Sequence, residues 1–332
     1  MPEPEGLGQA APDNRTRAVV SAMGAFLARW KLPIRAVFMA GMIGFIAWQL
    51  WQIGPGALAA EIPTNPLFYL LYWAGFCILP ASETQIYRRI WPAAPRVPFR
   101  VFLRKRVLND VVLGYSGDVW FGLWARMRLG IPDRRLLAGI KDAGLLSGAA
   151  SMVLTALVVL AFVLRGDSDT LAQSAGLGGQ ADLWFGLAAF VLIALLVVRF
   201  GGRALWIERA TAIKVFGINI SRICLVNLVQ LTQWSIVLPL VPFETWLLFI
   251  AVQMLINQLP FVPNRDLLFL AAGVELTTRI GVGEAALAAM FVAVTLLKQA
   301  TNYAVLGITM LMRDAEIAPA GATEEEDQNR TA

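Results

Sequence analysis

The segment that most constrains the fold is Leu255–Arg279, which reads LINQLPFVPNRDLLFLAAGVELTTR within a strongly apolar region. It places Pro260 and Pro263 beside the charged pair Arg265 and Asp266. Each proline removes a backbone donor from a helix, and a charge at mid-membrane costs roughly 2.5–3.5 kcal/mol on the mildest scale. Such backbone is tolerated at membrane depth only where protein buries it or where it lines a wet cavity. We therefore predict a re-entrant helical hairpin here, with functional residues near its tip.

An earlier segment, Leu108–Met127, has a similar layout and reads LNDVVLGYSGDVWFGLWARM. Asn109 precedes Asp118 by nine positions, as Asn257 precedes Asp266. Two short apolar segments that are interrupted at corresponding places in two halves indicate the binding site of a transporter. The two hairpins are predicted over residues 98–128 and 245–279.

Composition assigns the chain to the integral membrane proteins. Of its 332 residues, 58% are hydrophobic and 15% are charged, against about 25% charged in soluble domains. There is no histidine, which excludes Ser-His-Asp hydrolysis and histidine-ligated metals. Cys77 and Cys224 both lie in apolar segments and form no metal-binding cluster. We expect no cofactor and no metal ion.

The distribution of charge predicts the topology. Basic segments mark the cytoplasmic side, and they occur at 88–106, 126–141 and 199–222, whereas the loops around Glu61 and at 167–182 are acidic. The prediction is an all-α, polytopic protein of about six full spans plus two re-entrant hairpins, in halves of inverted topology, with both termini cytoplasmic. The spans are predicted at 36–53, 66–79, 145–164, 183–198, 223–240 and 285–312. The domains are a cytoplasmic tail (1–35), a transmembrane domain (36–312, with halves 36–164 and 183–312) and a disordered acidic tail (313–332).

Over residues 36–312 the chain resembles the lysylphosphatidylglycerol synthase transmembrane-region family of flippase-like proteins. The resemblance rests on Tyr115–Asp118 (YSGD) followed by Arg126, on Leu259–Asp266 (LPFVPNRD) and on Ile280–Leu287 (IGVGEAAL). It implies a multi-pass protein of a bacterial cytoplasmic membrane that moves a phospholipid or lipid-linked headgroup between leaflets. The soluble aminoacyl-transfer domain of the family's synthases has no counterpart here, so we expect a transporter and not an enzyme.

The leading candidates for substrate binding are Asp118, Arg265 and Asp266. Arginine binds phosphate through two parallel hydrogen bonds, and the aspartates would hold it in place or contact a cationic headgroup. The alternative is that these charges only satisfy the broken backbone of the hairpins. Asn109 and Asn257 are further candidates, although asparagine more often caps local backbone. Arg126 is included because it follows the first motif.

Lys298 lies near the middle of the last span, where a lysine is costly unless it faces a cavity or an ionic partner. It is predicted either to bind an anion or to pair with an acid such as Glu275. A stripe on one face of span five, made of Asn227, Gln230 and Gln233, is predicted to join helices or to line the site.

Two other functions remain open at this point. One is a non-catalytic membrane subunit that partners a separate lipid-modifying or glycosyl transferase. The other is an intramembrane aspartyl hydrolase with Asp118 and Asp266 as its acids. An anionic phospholipid or lipid-linked molecule is the expected ligand, and a second copy of the chain is a further candidate partner. The basic residues border the membrane, so nucleic acid is not expected.

Overall fold

The computed structural model describes residues 62–111, 115–174, 205–258 and 284–311, together with a few single positions between these ranges. The helices in these ranges belong to one compact unit, Gln52–Ala332. They are α1 (Pro66–Ile90), α2 (Phe99–Val111), α3 (Ser116–Arg128), α4 (Asp133–Arg165), α5 (Ser168–Ser174), α6 (Arg209–Val237), α7 (Phe243–Gln258) and α8 (Glu284–Leu311). Within the described ranges every regular element is α-helical, which confirms the predicted all-α class.

Three of these helices have stretches that are long and apolar enough to cross a membrane: Asp133–Arg165, Arg209–Val237 and Ala286–Thr309. They contain the predicted spans 145–164, most of 223–240 and most of 285–312. At 1.5 Å per residue, the 33 residues of α4 extend about 50 Å, which exceeds the roughly 30 Å of a hydrocarbon core. The helices α4 and α6 are therefore longer than their apolar segments and begin within the basic segments 126–141 and 199–222, whereas α8 has nearly the bounds of its predicted span.

Helix α1 shows the same extension. It begins where Asn65 accepts a hydrogen bond from the N–H of Leu67 at 2.9 Å, a side-chain N-cap, with proline at its first position. The predicted span stopped at Leu79, but the helix continues through Pro80 to Ile90. This continuation carries Glu83 and Tyr87 toward the hairpin.

Helices α2 and α3 are 13 residues each and coincide with the predicted hairpin at 98–128. They pack on the C-terminal half of α1 through three aromatic rings. The Tyr87 and Phe102 rings stack at 5.5 Å, and Phe121 lies 4.7 Å from Tyr87 and 5.3 Å from Phe102 between ring centroids. All three side chains are almost fully buried.

Asp142, on α4, joins that helix to the segment that leads into α6. Its carboxylate is completely buried, and Oδ2 accepts from the N–H groups of Trp206 and Ile207 at 2.7 and 3.0 Å. Two backbone donors near a helix start are thereby satisfied. At the other end of α4, Gly166 closes the helix with φ +83°, a left-handed cap that favours glycine.

Helices α6, α7 and α8 meet at a second aromatic cluster around Trp234. Its ring lies 5.6 Å from Trp246, 6.0 Å from Phe269 and 5.5 Å from Phe291. Of the second predicted hairpin (245–279), helix α7 is described as far as Gln258; most of the remainder, including Arg265 and Asp266, lies outside the described residues.

Candidate functional site

A cavity of about 940 Å³ is lined by residues of helices α1, α2, α3, α4, α6, α7 and α8, at the upper end of the usual size of ligand pockets. Many of its lining side chains are polar or charged. Those described are Glu83, Lys105, Arg106, Asn109, Asp110, Tyr115, Asp118, Ser147, Ser151, Asn219, Arg222, Asn227, Gln230, Gln233, Gln253, Asn257, Gln258, Thr295 and Lys298. In an otherwise apolar protein, this concentration of polar groups makes the cavity the candidate functional site.

A buried ion cluster occupies the side of the cavity formed by the hairpin. The Nζ of Lys105 lies 2.5 Å from Glu83 Oε1 and 2.9 Å from Asp118 Oδ1, and the lysine side chain is only 5% exposed. The Nζ also lies 5.4 Å from the ring centroids of Tyr87 and Phe121, within range of cation–π attraction. Lys105 thus holds one carboxylate from α1 and one from α3.

The turn between α2 and α3 is closed by hydrogen bonds around Asn109. Its Oδ1 accepts from the N–H of Gly117 at 2.7 Å, and its Nδ2 donates to Asp118 Oδ2 at 3.1 Å. The first N–H groups of a helix lack intrahelical partners, so Asn109 caps α3 from the preceding helix. At Gly117, a Cβ would lie 1.9 Å from the carbonyl oxygen of Lys105. Glycine is therefore required for the close approach of the two helices.

A second cluster of charged side chains joins α2 to α8 and α1. Lys298 Nζ lies 3.7 Å from Asp110 Oδ2, and Arg106 Nε lies 4.0 Å from the same oxygen. The Arg106 guanidinium also donates to the carbonyl oxygen of Phe76 and lies 4.2 Å from its ring centroid. Because Pro80 has no N–H to bond that carbonyl, Arg106 supplies the missing donor, which explains how α1 continues past the proline.

Other parts of the lining carry amide side chains that bond across helices. Gln230 Nε2 on α6 donates to Gln253 Oε1 on α7 at 2.9 Å. Gln258 Nε2 donates to Ser151 Oγ and Thr155 Oγ1 on α4 at 2.8 and 2.9 Å. The side chains of the predicted stripe at Asn227, Gln230 and Gln233 therefore both line the cavity and join helices.

The structure brings four sequence-predicted site residues to this one cavity: Asn109, Asp118, Asn257 and Lys298. Arg126 is placed elsewhere. Its Nε lies 3.0 Å from Asp133 Oδ1, and both side chains are more than half exposed. Lys298 contacts Asp110, an acid on the first hairpin. Glu275, the acid that the sequence offered as an example of a partner, lies outside the described residues. Arg265 and Asp266 lie outside the described residues.

Five charged lining residues were missed by the sequence analysis: Glu83, Lys105, Arg106, Asp110 and Arg222. Lys105, Arg106 and Arg222 fell in basic segments that were interpreted only as markers of topology. A signal was available on α1, since Tyr72, Phe76, Leu79 and Glu83 follow each other at helical spacing and so share one face. Within the described part of the chain, no group of three or more His, Cys, Asp or Glu side chains is placed to hold a metal ion.

Comparison of the chain with protein-family models, with curated proteins and with solved structures gave no match. The functional argument therefore rests on the site itself.

Proposed function

We propose that this protein is a flippase-like transporter that moves a phospholipid or lipid-linked headgroup between leaflets through the cavity described above. The observation that carries the proposal is a large polar cavity enclosed by helices whose outer faces are apolar. Exposed leucines occur on α4 (Leu157, Leu164) and on α6 (Leu225, Leu228), while the charged and amide side chains lie inside. Polar groups inside and apolar groups outside are the arrangement expected for a solute path through hydrocarbon.

The charge of the cavity favours an anionic headgroup. Among the described lining residues, the cations are Lys105, Arg106, Arg222 and Lys298, and the acids are Glu83, Asp110 and Asp118. The excess of positive charge would offset a phosphate as it leaves water, while the acyl chains remain in the surrounding lipid. The openings between helices would then admit the headgroup alone.

Helices α2 and α3 fit a re-entrant hairpin. Each has 13 residues, or about 20 Å at 1.5 Å per residue, which is too short to cross a core of about 30 Å. With both ends of the hairpin on the cytoplasmic side, as the basic segments indicate, its tip would reach into the membrane. The proposed topology keeps six spans, inverted halves and cytoplasmic termini in a bacterial cytoplasmic membrane.

The test is leaflet exchange of labelled phospholipids in vesicles that contain the purified full-length protein. Wild type is expected to move one class of lipid. Asp118→Asn is expected to reduce the rate at least tenfold, because Lys105 then loses one of the two carboxylates that hold it in the cavity lining. The matched control is Asp133→Asn, which removes a carboxylate outside the cavity and is expected to leave exchange unchanged. Arg265→Gln and Asp266→Asn extend the test to the second hairpin.

Two results would contradict the proposal. If folded wild type exchanges no lipid of any class, the non-catalytic partner of a transferase becomes the better interpretation. If Asp118→Asn and Asp133→Asn both transport as wild type does, the cavity is not the path. A protease assay on the same vesicles tests the remaining alternative, an intramembrane aspartyl hydrolase.

A further inference from the structure

A second cavity, of about 320 Å³, lies where α1 ends and the loop to α2 begins. Of its described lining residues, only Tyr87 also borders the large cavity. Among the residues that the structure describes, the lining holds two charged side chains, Arg88 and Arg96, and no acid. We call it the α1–α2 pocket. Its chemistry fits an anion, because guanidinium groups bind carboxylate and phosphate through paired hydrogen bonds.

The wall of the α1–α2 pocket is a loop stiffened by proline. Pro92, Pro95 and Pro98 lie between α1 and α2, and each ring fixes its own φ angle. The N–H of Ala94 donates to the carbonyl oxygen of Trp91 at 3.1 Å, and the Trp91 side chain is only 7% exposed. The backbone of the wall is therefore fixed before a ligand arrives, which lowers the entropy cost of binding.

The two arginines have no anionic partner in the described part of the chain. Both residues are exposed, and neither is among the ion-paired side chains there. Between Glu83 and Asp110 the sequence has seven basic residues and no acid. The pocket therefore carries a positive charge that an anionic ligand would offset.

The position of the pocket separates it from the phosphates of a bilayer. Arg88 lies nine residues beyond Leu79, where the predicted span ends, which is about 13 Å along α1. The headgroup layer extends about 5–8 Å beyond the hydrocarbon core on each side. At a tilt of about 40°, the upper end of the range for spans, the distance is still about 10 Å. These lengths favour a protein carboxylate over a lipid phosphate as the ligand.

The chain carries its own anionic segment, Glu324–Asp327 (EEED), which lies outside the described residues. Its attachment point is close to the pocket. Near the end of α8, the carbonyl oxygen of Thr309 accepts from Arg104 of α2 at 3.3 Å. Arg96 precedes Arg104 by eight residues, or at most about 20 Å. The acidic segment begins 13 residues after the end of α8, a length that spans up to about 45 Å, so it can reach the pocket.

We propose that the α1–α2 pocket is a docking site for the acidic segment Glu324–Asp327 of the same chain. Arg88 and Arg96 bind two of its carboxylates, and the exposed Arg89 follows Arg88 for a third. Exposed ion pairs contribute little individually, but a short tether holds the segment at an effective concentration in the millimolar range. The contact joins the end of α8 to the base of the first hairpin, and it does not depend on the proposed transport.

The test is disulfide formation in the full-length protein in detergent, followed as a gel shift after addition of an oxidant. Cys77→Ala and Cys224→Ala remove the native thiols, and Ala93→Cys with Gln328→Cys places one thiol beside the pocket and one beside the acidic segment. The reference pair is Glu244→Cys with Gln328→Cys, because α7 begins beyond the far end of α6, a helix of 29 residues that extends about 43 Å. At low salt the first pair is expected to cross-link at least 10-fold faster than the reference pair.

Salt and charge variants show whether the contact is electrostatic. Raising the salt concentration from about 20 mM to about 500 mM should slow cross-linking about 5- to 10-fold, because screening then acts over less than about 5 Å. Arg88→Gln together with Arg96→Gln should slow it by a similar factor. The matched control is Arg209→Gln together with Lys214→Gln, which removes two exposed charges of α6 outside the pocket and should leave the rate unchanged.

The reciprocal variant neutralises the segment through Glu324→Gln, Glu325→Gln and Glu326→Gln, and it should slow cross-linking as much as the arginine changes do. This variant leaves the described helices intact, so it decides alone if the arginine variant does not fold. The same rates are then measured in vesicles of phosphatidylcholine, with and without phosphatidylglycerol. Equal rates are expected, whereas loss of cross-linking in the anionic vesicles would assign the pocket to lipid phosphate and overturn the proposal.

Three other results would also overturn it. One is cross-linking of the first pair no faster than of the reference pair. Another is a normal rate after the changes at Arg88 and Arg96 or after those in the acidic segment. The third is an equal loss in the α6 control, which would show a diffuse attraction and not a site. None of these measurements involves lipid movement, so a failure of the transport proposal leaves this one standing.

Discussion

Replacing Lys105 by methionine tests the central feature of the site, the buried cation between two carboxylates. The change keeps most of the side-chain volume but leaves Glu83 and Asp118 facing each other without a counter-charge. Lys105 is 5% exposed and Glu83 is 15% exposed, so this pair is far from bulk water. Removing one partner of a buried pair costs about 3–5 kcal/mol, and we expect Lys105→Met to lower the free energy of unfolding by that amount.

The assay is reversible unfolding in mixed micelles, followed by tryptophan fluorescence during titration with a denaturing detergent. The matched control is Arg126→Met, which breaks an ion pair of similar length, 3.0 Å, between side chains that are 63% and 55% exposed. Exposed pairs contribute about 0–1 kcal/mol, so the control should change stability by less than 1 kcal/mol. The comparison isolates burial as the reason for the difference.

The two carboxylates should not contribute equally. Glu83 lies closer to the lysine than Asp118 does, and it is less exposed, 15% against 30%. Glu83→Gln should therefore destabilise the protein more than Asp118→Asn, and a double-mutant cycle of Glu83→Gln with Lys105→Met should give a coupling of about 2–3 kcal/mol. The reasoning is refuted if Lys105→Met and Arg126→Met have equal effects, or if the coupling is near zero.

Three further changes, one of them with a matched glycine control, test the packing that positions the site, each by the same unfolding titration. Gly117→Ala should destabilise by about 1–3 kcal/mol, the usual cost of overpacking, because its Cβ would meet backbone at 1.9 Å. Gly144→Ala, where a Cβ meets nothing within 4 Å, should instead be stabilising by about 0.5–1 kcal/mol; equal effects would contradict the close approach. Asp142→Ala leaves two backbone N–H groups without their acceptor and should lower the free energy of unfolding by about 2–4 kcal/mol. A loss below 1 kcal/mol would show that water replaces the carboxylate. Gln233→Leu removes the hydrogen bond from this side chain to the carbonyl oxygen of Phe68 at 3.0 Å and should lower the free energy of unfolding by about 0.5–1.5 kcal/mol. Increased stability would show that this bond is not needed to join α6 to α1.

Several elements of the fold could be predicted because they depend on local sequence. The final span, at 285–312, matches α8 within one residue at each end, since an uninterrupted apolar run has only one way to satisfy its backbone in lipid. The predicted hairpin boundaries, 98 and 128, lie within one residue of the start of α2 and the end of α3. The end of α1 was not predictable in this way, because Pro80 is accommodated only through the donor that Arg106 brings from a distant segment.

The sequence by itself determined the all-α class and the apolar stretches of α4, α6 and α8, since hydropathy and the cost of charge in lipid are properties of each segment alone. For the same reason it singled out Asn109, Asp118 and Lys298, which line the cavity. Tertiary structure decided which charged residues face the cavity. Lys105 and Arg222 cannot be told apart in sequence from the basic residues that mark a cytoplasmic loop, and Glu83 lies beyond the predicted end of its span. Only the packing of α1, α2 and α6 against one another turns all three side chains toward the cavity. The physical reason is that the cost of burying a charge depends on its partners, and those partners come from segments far apart in the chain.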